Sequence, residues 1–336
     1  MRPLSVGADQ RGFALLAVTL VLALLAVVVS EFAFSMRLEA AMVRSYKDAI
    51  LARHLAEAGF QQAVREILSD ATVHGLDDNG QVAFFQAAPG SGATPTRLPE
   101  LPRTHVKLGA GEFSYRITDE EGRLSINSGL PDRLDKLLSL LGVEKEQRDI
   151  ITDSVEDWRD GNDTHRANGA ESDEYLKLPI PYRARNANLQ DVSELLQIKG
   201  ITPELYYGHG DQPGLVDLVA ARTRGPVNLN TAPKIILQAW GLADAQIEFV
   251  TQSRASSPFS AVPSTLTAIP RAPLTFQSAT FRIEAEGVIG GEPRARLMAI
   301  VQRALGRQTG GAPALTIFTW RWLPPRAPAK EGAAKS

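Results

Sequence analysis

Arg11-Gly12-Phe13-Ala14-Leu-Leu-Ala-Val-Thr-Leu-Val-Leu-Ala-Leu-Leu-Ala-Val-Val-Val-Ser30 sets an arginine and a glycine ahead of an apolar run. From Phe13 to Ser30 there are 18 residues, and Thr19 and Ser30 are the polar ones. As a helix rising about 1.5 Å per residue the run is about 27 Å long, close to the roughly 30 Å of a bilayer core. The stretch therefore predicts a membrane anchor. Arg2 and Arg11 lie on its N-terminal side, which predicts that end in the cytoplasm and everything after Glu31 on the far side. A secretory signal peptide is cut after its apolar region. Here the processing signal, Gly12 followed by Phe13, comes before it, so the helix is expected to stay with the protein.

Outward from this anchor the helical pattern continues to Leu68, with Leu51, Leu55, Ala58, Val64, Ile67 and Leu68 forming an apolar face. One long helix from membrane to globular head is predicted. Residues 87–102 read as a loop by composition. Phe113, Tyr115 and Ile117 alternate with polar residues, and a Glu-Glu-Gly turn leads to Arg123–Asn127, which predicts a β-hairpin. Strand signals return at Thr280–Ile289, at Arg294–Val301 after a Gly290-Gly291 turn, and at Leu315–Trp322.

Between them, helices are predicted over Pro131–Leu141, Glu144–Trp158, Asp191–Ile198, Gly214–Arg222, Ala232–Trp240 and Ala243–Ser253. The expected class is α+β: a long helix packed on an antiparallel sheet, with an all-α domain inserted between strands. The divisions are a leader 1–12, a transmembrane helix 13–34, spine and first strands 35–129, insertion 130–275, closing strands 276–323 and a disordered tail 324–336.

Composition narrows function. The 336 residues carry 36 basic against 38 acidic side chains, a net charge of −2, so there is no overall field for nucleic acid or an anionic membrane surface. Without cysteine there is no disulfide, thiol nucleophile or thiolate metal site. His54, His74, His105, His165 and His209 are scattered, and no serine elbow, Walker loop or HExxH is present. An enzyme is not expected.

The strongest chemical feature is acidic. From Asp149 to Glu174 there are nine carboxylates against Arg159 and Arg166. Asp157-Trp-Arg-Asp160-Gly-Asn-Asp163 runs from a predicted helix end into a loop, where oxygens can converge on a hard cation such as Ca²⁺. Asp160 and Glu171 stand at positions 1 and 12 of an EF-hand count, but His165 replaces the glycine of position 6. An EF-hand is excluded. By spacing alone, a solvated helix end accounts for these acids as well as a cation site does. Asn228-Leu-Asn-Thr-Ala232 and Gln197-Ile-Lys-Gly-Ile201 are similar to helix-hairpin-helix DNA-binding modules, yet basic residues are sparse there. Thr231 as N-cap and Pro233 at a helix start explain the first motif without DNA.

Arg11-Gly12-Phe13 resembles the leader of type IV prepilins, which implies cleavage between Gly12 and Phe13 by a prepilin peptidase and methylation of the new N-terminus. Most of that class carry Glu at the fifth mature position, where this chain has Ala17. A carboxylate in hydrocarbon is costly unless neutralised, so a subunit with nothing ahead of it gains nothing by keeping one. Ala17, Ala56-Glu-Ala-Gly59 and the inserted helices together resemble the K-type minor pseudopilins of type II secretion systems.

That resemblance implies a single-pass inner-membrane protein with its bulk in the periplasm. It also implies a place at the pseudopilus tip, initiating or capping assembly for protein export. The implied partners are I-type and J-type minor pseudopilins and, through the tip complex, the major subunit, with no nucleic acid. Asp157-Trp-x-Asp160 with Gly169-Ala170-Glu171 and Tyr175 is similar to the family's calcium-binding region. Asp157, Asp160, Asp163, Glu171 and Asp173 are thereby implied as ligands of a structural Ca²⁺, with Glu194 an outside candidate. The alternatives are a tip minor pilin of a type IV pilus and a membrane-anchored helix-hairpin-helix DNA receptor.

Overall fold

The computed structural model describes residues 10–87, 94–128, 131–267, 273–304 and 315–324. The first helix, α1 (Gln10–Ile67), is 58 residues of proline-free, alanine- and leucine-rich chain, about 87 Å long. It is long and apolar enough to cross a membrane. Its N-terminal half projects large apolar side chains without cover, from Phe13 through Phe32 to Val43. The expected leader lies mostly outside the described residues.

Next come β1 (Val73–Leu76), β2 (Val82–Gln86) and β3 (Thr96–Arg97), a small antiparallel sheet. β3 interrupts the segment expected to be all loop. β4 (Val106–Leu108) and β5 (Gly111–Asp119) form a hairpin. The chain then enters the insertion through β6 (Leu124–Ser125), α2 (Pro131–Leu140), α3 (Lys145–Arg159), α4 (Ser172–Tyr175) and a 3₁₀ turn, Val192–Gln197. It continues with α5 (Pro203–Tyr207), β7 (Gly208–His209), β8 (Gln212–Pro213), α6 (Leu215–Leu218), β9 (Val219–Ala220), β10 (Val227–Asn228), α7 (Lys234–Trp240), α8 (Asp244–Ser256) and β11 (Leu274–Thr275). β12 (Thr280–Ile289), β13 (Glu292–Arg303) and β14 (Leu315–Leu323) close the fold. Residues 325–336, nearly all of the expected tail, lie outside the described residues.

The main sheet has the order β14-β13-β12-β5-β4 and is antiparallel throughout. β12 returns to pair with β5, from Phe281 opposite Asp119 to Val288 opposite Glu112. The insertion is therefore an excursion between two neighbouring strands.

α1 lies across one face of this sheet. Leu55, Ala56, Phe60, Ala63 and Ile67 bury against the inward side chains of β5, β12 and β13, such as Tyr115, Ile283 and Leu297. Leu51, Ala58, Val64 and Leu68, expected on the buried face, are half-buried. The contact instead uses small residues, because the helix comes close enough for the Ala52 carbonyl to abut Gly287. Ala52 thus marks the end of β12, whereas the Arg303 guanidinium donates to the Ile67 and Ala71 carbonyls (3.1 and 3.4 Å) beside its start. The insertion consequently leaves the sheet at the pole next to the C-terminus of α1, far from Phe13.

Three local expectations are corrected. The hairpin between 112–119 and 123–127 does not form: β5 has β4 and β12 on its two sides, and β6 pairs in parallel with β9. The turn residues are buried, with Glu121 accepting from the Ala279 and Thr280 amides (3.1 and 2.9 Å) and Glu120 paired to Arg282 at 2.9 Å. They hold β12 in the place a returning 123–127 strand would take.

The insertion is not all-α. β7–β8 is a tiny hairpin, and β6–β9 and β10–β11 are two-residue parallel pairings too short to show a period. Its helical core nevertheless stands, built on Leu137, Leu138, Ile151, Trp158, Leu195 and Ile236. Finally, Thr231 is not an N-cap. Pro233 takes that position and the Thr231 hydroxyl donates to Asp119 at 2.5 Å.

Asp119 is the centre of the junction between sheet and insertion. Its Oδ2 accepts from Ser278 Oγ (2.5 Å), Thr231 Oγ1 and Asn228 Nδ2 (3.0 Å), and its Oδ1 from the Glu121 amide (2.9 Å). His74 Nδ1 accepts the Ser278 amide at 3.0 Å, with its ring edge-on to Phe84 and Phe281. All of these groups are buried, and burial holds the His74 imidazole down to about 3.

Candidate metal centre

α3 ends at Arg159 with Asp160 in extended conformation, so Asp157 points inward from the last helical turn and Asp160 opens the loop. Glu171 is the extended residue ahead of α4. Trp158 packs edge-on against Tyr175 (5.3 Å) and Tyr182 (6.2 Å), which stack on each other at 5.2 Å. This aromatic wedge holds the end of α3 against α4. It brings Asp157, Asp160 and Glu171 together, with one oxygen of each within 4.8 Å of the others. Gly169 is required here, because a Cβ would overlap Asp157 Oδ2.

The electrostatics of this trio are unusual. Asp157 is fully buried and Glu171 is 1% exposed, while both Glu171 oxygens lack a hydrogen-bond partner among the described residues. Buried carboxylates ordinarily find donors. Burial, then the charges of Asp157, Asp160 and Asp163, push Glu171 up to about 7. Burial likewise raises Asp157, against the backbone amide and guanidinium of Arg166. An all-oxygen, partly dehydrated set with spare acceptors fits a hard divalent cation such as Ca²⁺ and does not fit a soft metal.

Of the five sequence-predicted ligands, then, three converge. Asp163 accepts from Asn186 Nδ2 at 3.1 Å and influences Glu171 through its charge, without joining the trio. Asp173 is turned to the surface, bonded to His165 Nε2 (2.6 Å) and near Lys177 (3.5 Å). Glu194 closes the capping box of the 3₁₀ turn and pairs with Arg185 at 3.3 Å. The Trp158–Tyr175–Tyr182 wedge escaped sequence reading, although a tryptophan within the acidic run and two tyrosines just after it were its available signal.

Gly12 and Phe13, the predicted processing pair, lie within the first turn of α1. In the helix-hairpin-helix-like motif the asparagines are spent internally. Asn228 serves Asp119 and Ser278, and Asn230 Oδ1 accepts the Phe259 amide at 2.7 Å.

The family model of the type II secretion system (T2SS), protein K, matches residues 118–208, from the end of β5 through α5 and across the acidic trio. Type II secretion system protein K of Pectobacterium carotovorum subsp. carotovorum is 30% identical over 213 residues, 59% of this chain and 60% of that protein. Its namesake in Pseudomonas aeruginosa is 28% identical over 265 residues, 74% of each. Over these stretches the chain is similar to type II secretion system protein K. The match spans about 60% of the length of the Pectobacterium member of the family. In fold alone, the chain is similar to a chain of the GspK-GspI-GspJ complex from the enterotoxigenic Escherichia coli Type 2 Secretion System. That superposition has a TM-score of 0.61 at 17% identity and covers 84% of this chain and 99% of the other.

Proposed function

We propose that this chain is the minor pseudopilin at the tip of the type II secretion pseudopilus, where it initiates or caps assembly for protein export. The observation that carries the reading is the position of the insertion. It leaves the sheet beside Ile67, at the far pole from the apolar start of α1. A bulky domain there obstructs any subunit from stacking beyond it, while the uncovered first half of α1 is free to pack against helices below.

The solved fold neighbour was captured in a complex with GspI and GspJ, which supports I-type and J-type minor pseudopilins as partners, with the major subunit joined through them. In this reading a prepilin peptidase cuts between Gly12 and Phe13 and methylates Phe13. The chain then sits in the inner membrane by one pass, with its bulk in the periplasm, and has no enzymatic role. The unpartnered oxygens of Glu171 support a structural Ca²⁺ held by Asp157, Asp160 and Glu171. The internal use of Asn228 and Asn230 speaks against a DNA receptor, and the family match speaks against a type IV pilus subunit.

The direct test is co-expression of the full chain with I-type and J-type partners and purification in mild detergent. A stable ternary complex is expected. Recovery of this chain alone, folded but free of both partners, overturns the tip assignment.

A further inference from the structure

Arg166 lies on the acidic trio without satisfying it. Its Nε is 3.4 Å from Asp157 Oδ1, and its Nη2 is 3.8 Å from Asp160 Oδ2 and 3.7 Å from Glu156 Oε2. Charge-assisted hydrogen bonds run to about 2.7–2.9 Å, so the guanidinium is drawn to these oxygens by charge more than by bonding. Glu156 already has a closer partner, Arg159 at 2.9 Å. No ion pair joins Arg166 to Glu171 among the described residues, and the Glu171 oxygens keep no donor. One positive charge therefore faces three carboxylates and reaches two. The Arg166 side chain is 44% exposed, so it has a path to solvent.

We propose that Arg166 is a built-in competitor for the cation of this site: its guanidinium shields the Asp157 and Asp160 oxygens and must withdraw when a divalent ion binds them. The inference rests on the calcium reading given above. Two positive groups cannot share those oxygens, so the arginine weakens calcium binding while steadying the ion-free loop. It acts as a positioning and affinity-setting residue. The site is thereby tuned to load where calcium is plentiful.

The test is calorimetric titration of calcium chloride into the full chain in detergent after chelator treatment, for the wild type, Arg166→Gln and Arg166→Lys, with melting temperatures in chelator and in calcium. Loss of a like charge a few ångströms from the ion predicts binding about tenfold tighter in Arg166→Gln, with a lower melting temperature in chelator and a larger gain on adding calcium. Arg166→Lys, which keeps the charge, is expected within about threefold of the wild type, since charge and not shape sets the competition. Unchanged or weaker binding by Arg166→Gln overturns the proposal, and so does tenfold tighter binding by Arg166→Lys. A wild type that shows neither heat nor stabilisation with calcium refutes the calcium reading itself, a result distinct from the other two. If Arg166→Gln fails to fold in chelator, Arg166→Met, which also removes the charge but keeps an unbranched side chain, is read against the wild type in its place, with the same tighter binding expected and the same unchanged binding overturning the proposal.

Discussion

Gly287 on β12 and Ala52 on α1 are in backbone contact, with the Ala52 carbonyl oxygen in the volume that a Cβ on residue 287 would fill. The obstacle is main chain and cannot rotate away. Gly287→Ala must lift the helix from the sheet, opening the layer that holds Leu55 and Phe60. Overpacking of this kind costs about 3 kcal/mol, which thermal or denaturant unfolding of the full chain in detergent reads directly. A variant as stable as the wild type would show that spine and sheet are not so tightly apposed.

The junction gives the sharpest prediction from single polar atoms. Asn228→Ala removes a donor to Asp119 and Ser278 and an acceptor for the Asn230 amide at 2.9 Å, all buried. Leaving such groups unsatisfied costs about 1–3 kcal/mol each, so a loss of about 3 kcal/mol is expected. Protease cleavage of the native protein should also move to the segments joining sheet and insertion. Wild-type stability and an unchanged cleavage pattern would refute the role given to this network.

Stability should depend on pH in two opposing limbs. The unfolded imidazole of His74 takes a proton near 6.5, whereas the folded one refuses it down to about 3, so this limb loses stability as pH falls through that interval. Glu121 does the reverse: buried, and beside Asp119, it holds its proton up to about 8 in the fold but releases it near 4.5 when unfolded. That limb loses stability as pH rises from about 4.5 to about 8. Without calcium, Glu171, held up to about 7, adds a limb of the Glu121 sign. The two carboxyls then outweigh His74 between about 4.5 and 6.5, and stability declines with rising pH up to about 8. His74→Asn, which keeps an acceptor for Ser278, should steepen that decline below about pH 6.5, and Glu121→Gln should level it there and abolish it above about pH 7. Denaturant midpoints measured across pH check both variants.

Calcium dependence should separate the converging acids from their neighbours. Asp157→Asn is expected to abolish the rise in melting temperature that calcium gives over chelator, because Asp157 is fully buried within the trio. Asp173→Asn should leave that rise intact, since Asp173 is a surface partner of His165 and Lys177. Equal effects from the two substitutions would rule out the three-carboxylate site.

The readable parts of this chain are those with a period or a local rule. β12 matches its expected bounds, Thr280–Ile289, because Phe281, Ile283 and Ala285 alternate inward over a single buried face. Helices α2 and α3 were legible for the same reason at helical spacing. The turn at Glu120–Gly122 was misread because a buried acidic turn has the composition of an exposed one. Its carboxylates are retained only because residues more than 150 positions away supply the donors. Asp160 and Glu171 kept a recognisable spacing, while the same acidic run held Asp163 and Asp173, which charge pattern alone could not separate from them.

The sequence by itself determined the long helix with its apolar, membrane-length start, four of the five strands of the main sheet and the acidic run, since hydrophobic periodicity and composition are properties of neighbouring residues. Tertiary structure alone decided that α1 closes on Gly287, that the insertion sits at the far pole, and that three acids of five meet while Arg166 stands over two of them. Those outcomes depend on which distant groups exclude water from one another, and no local pattern encodes that.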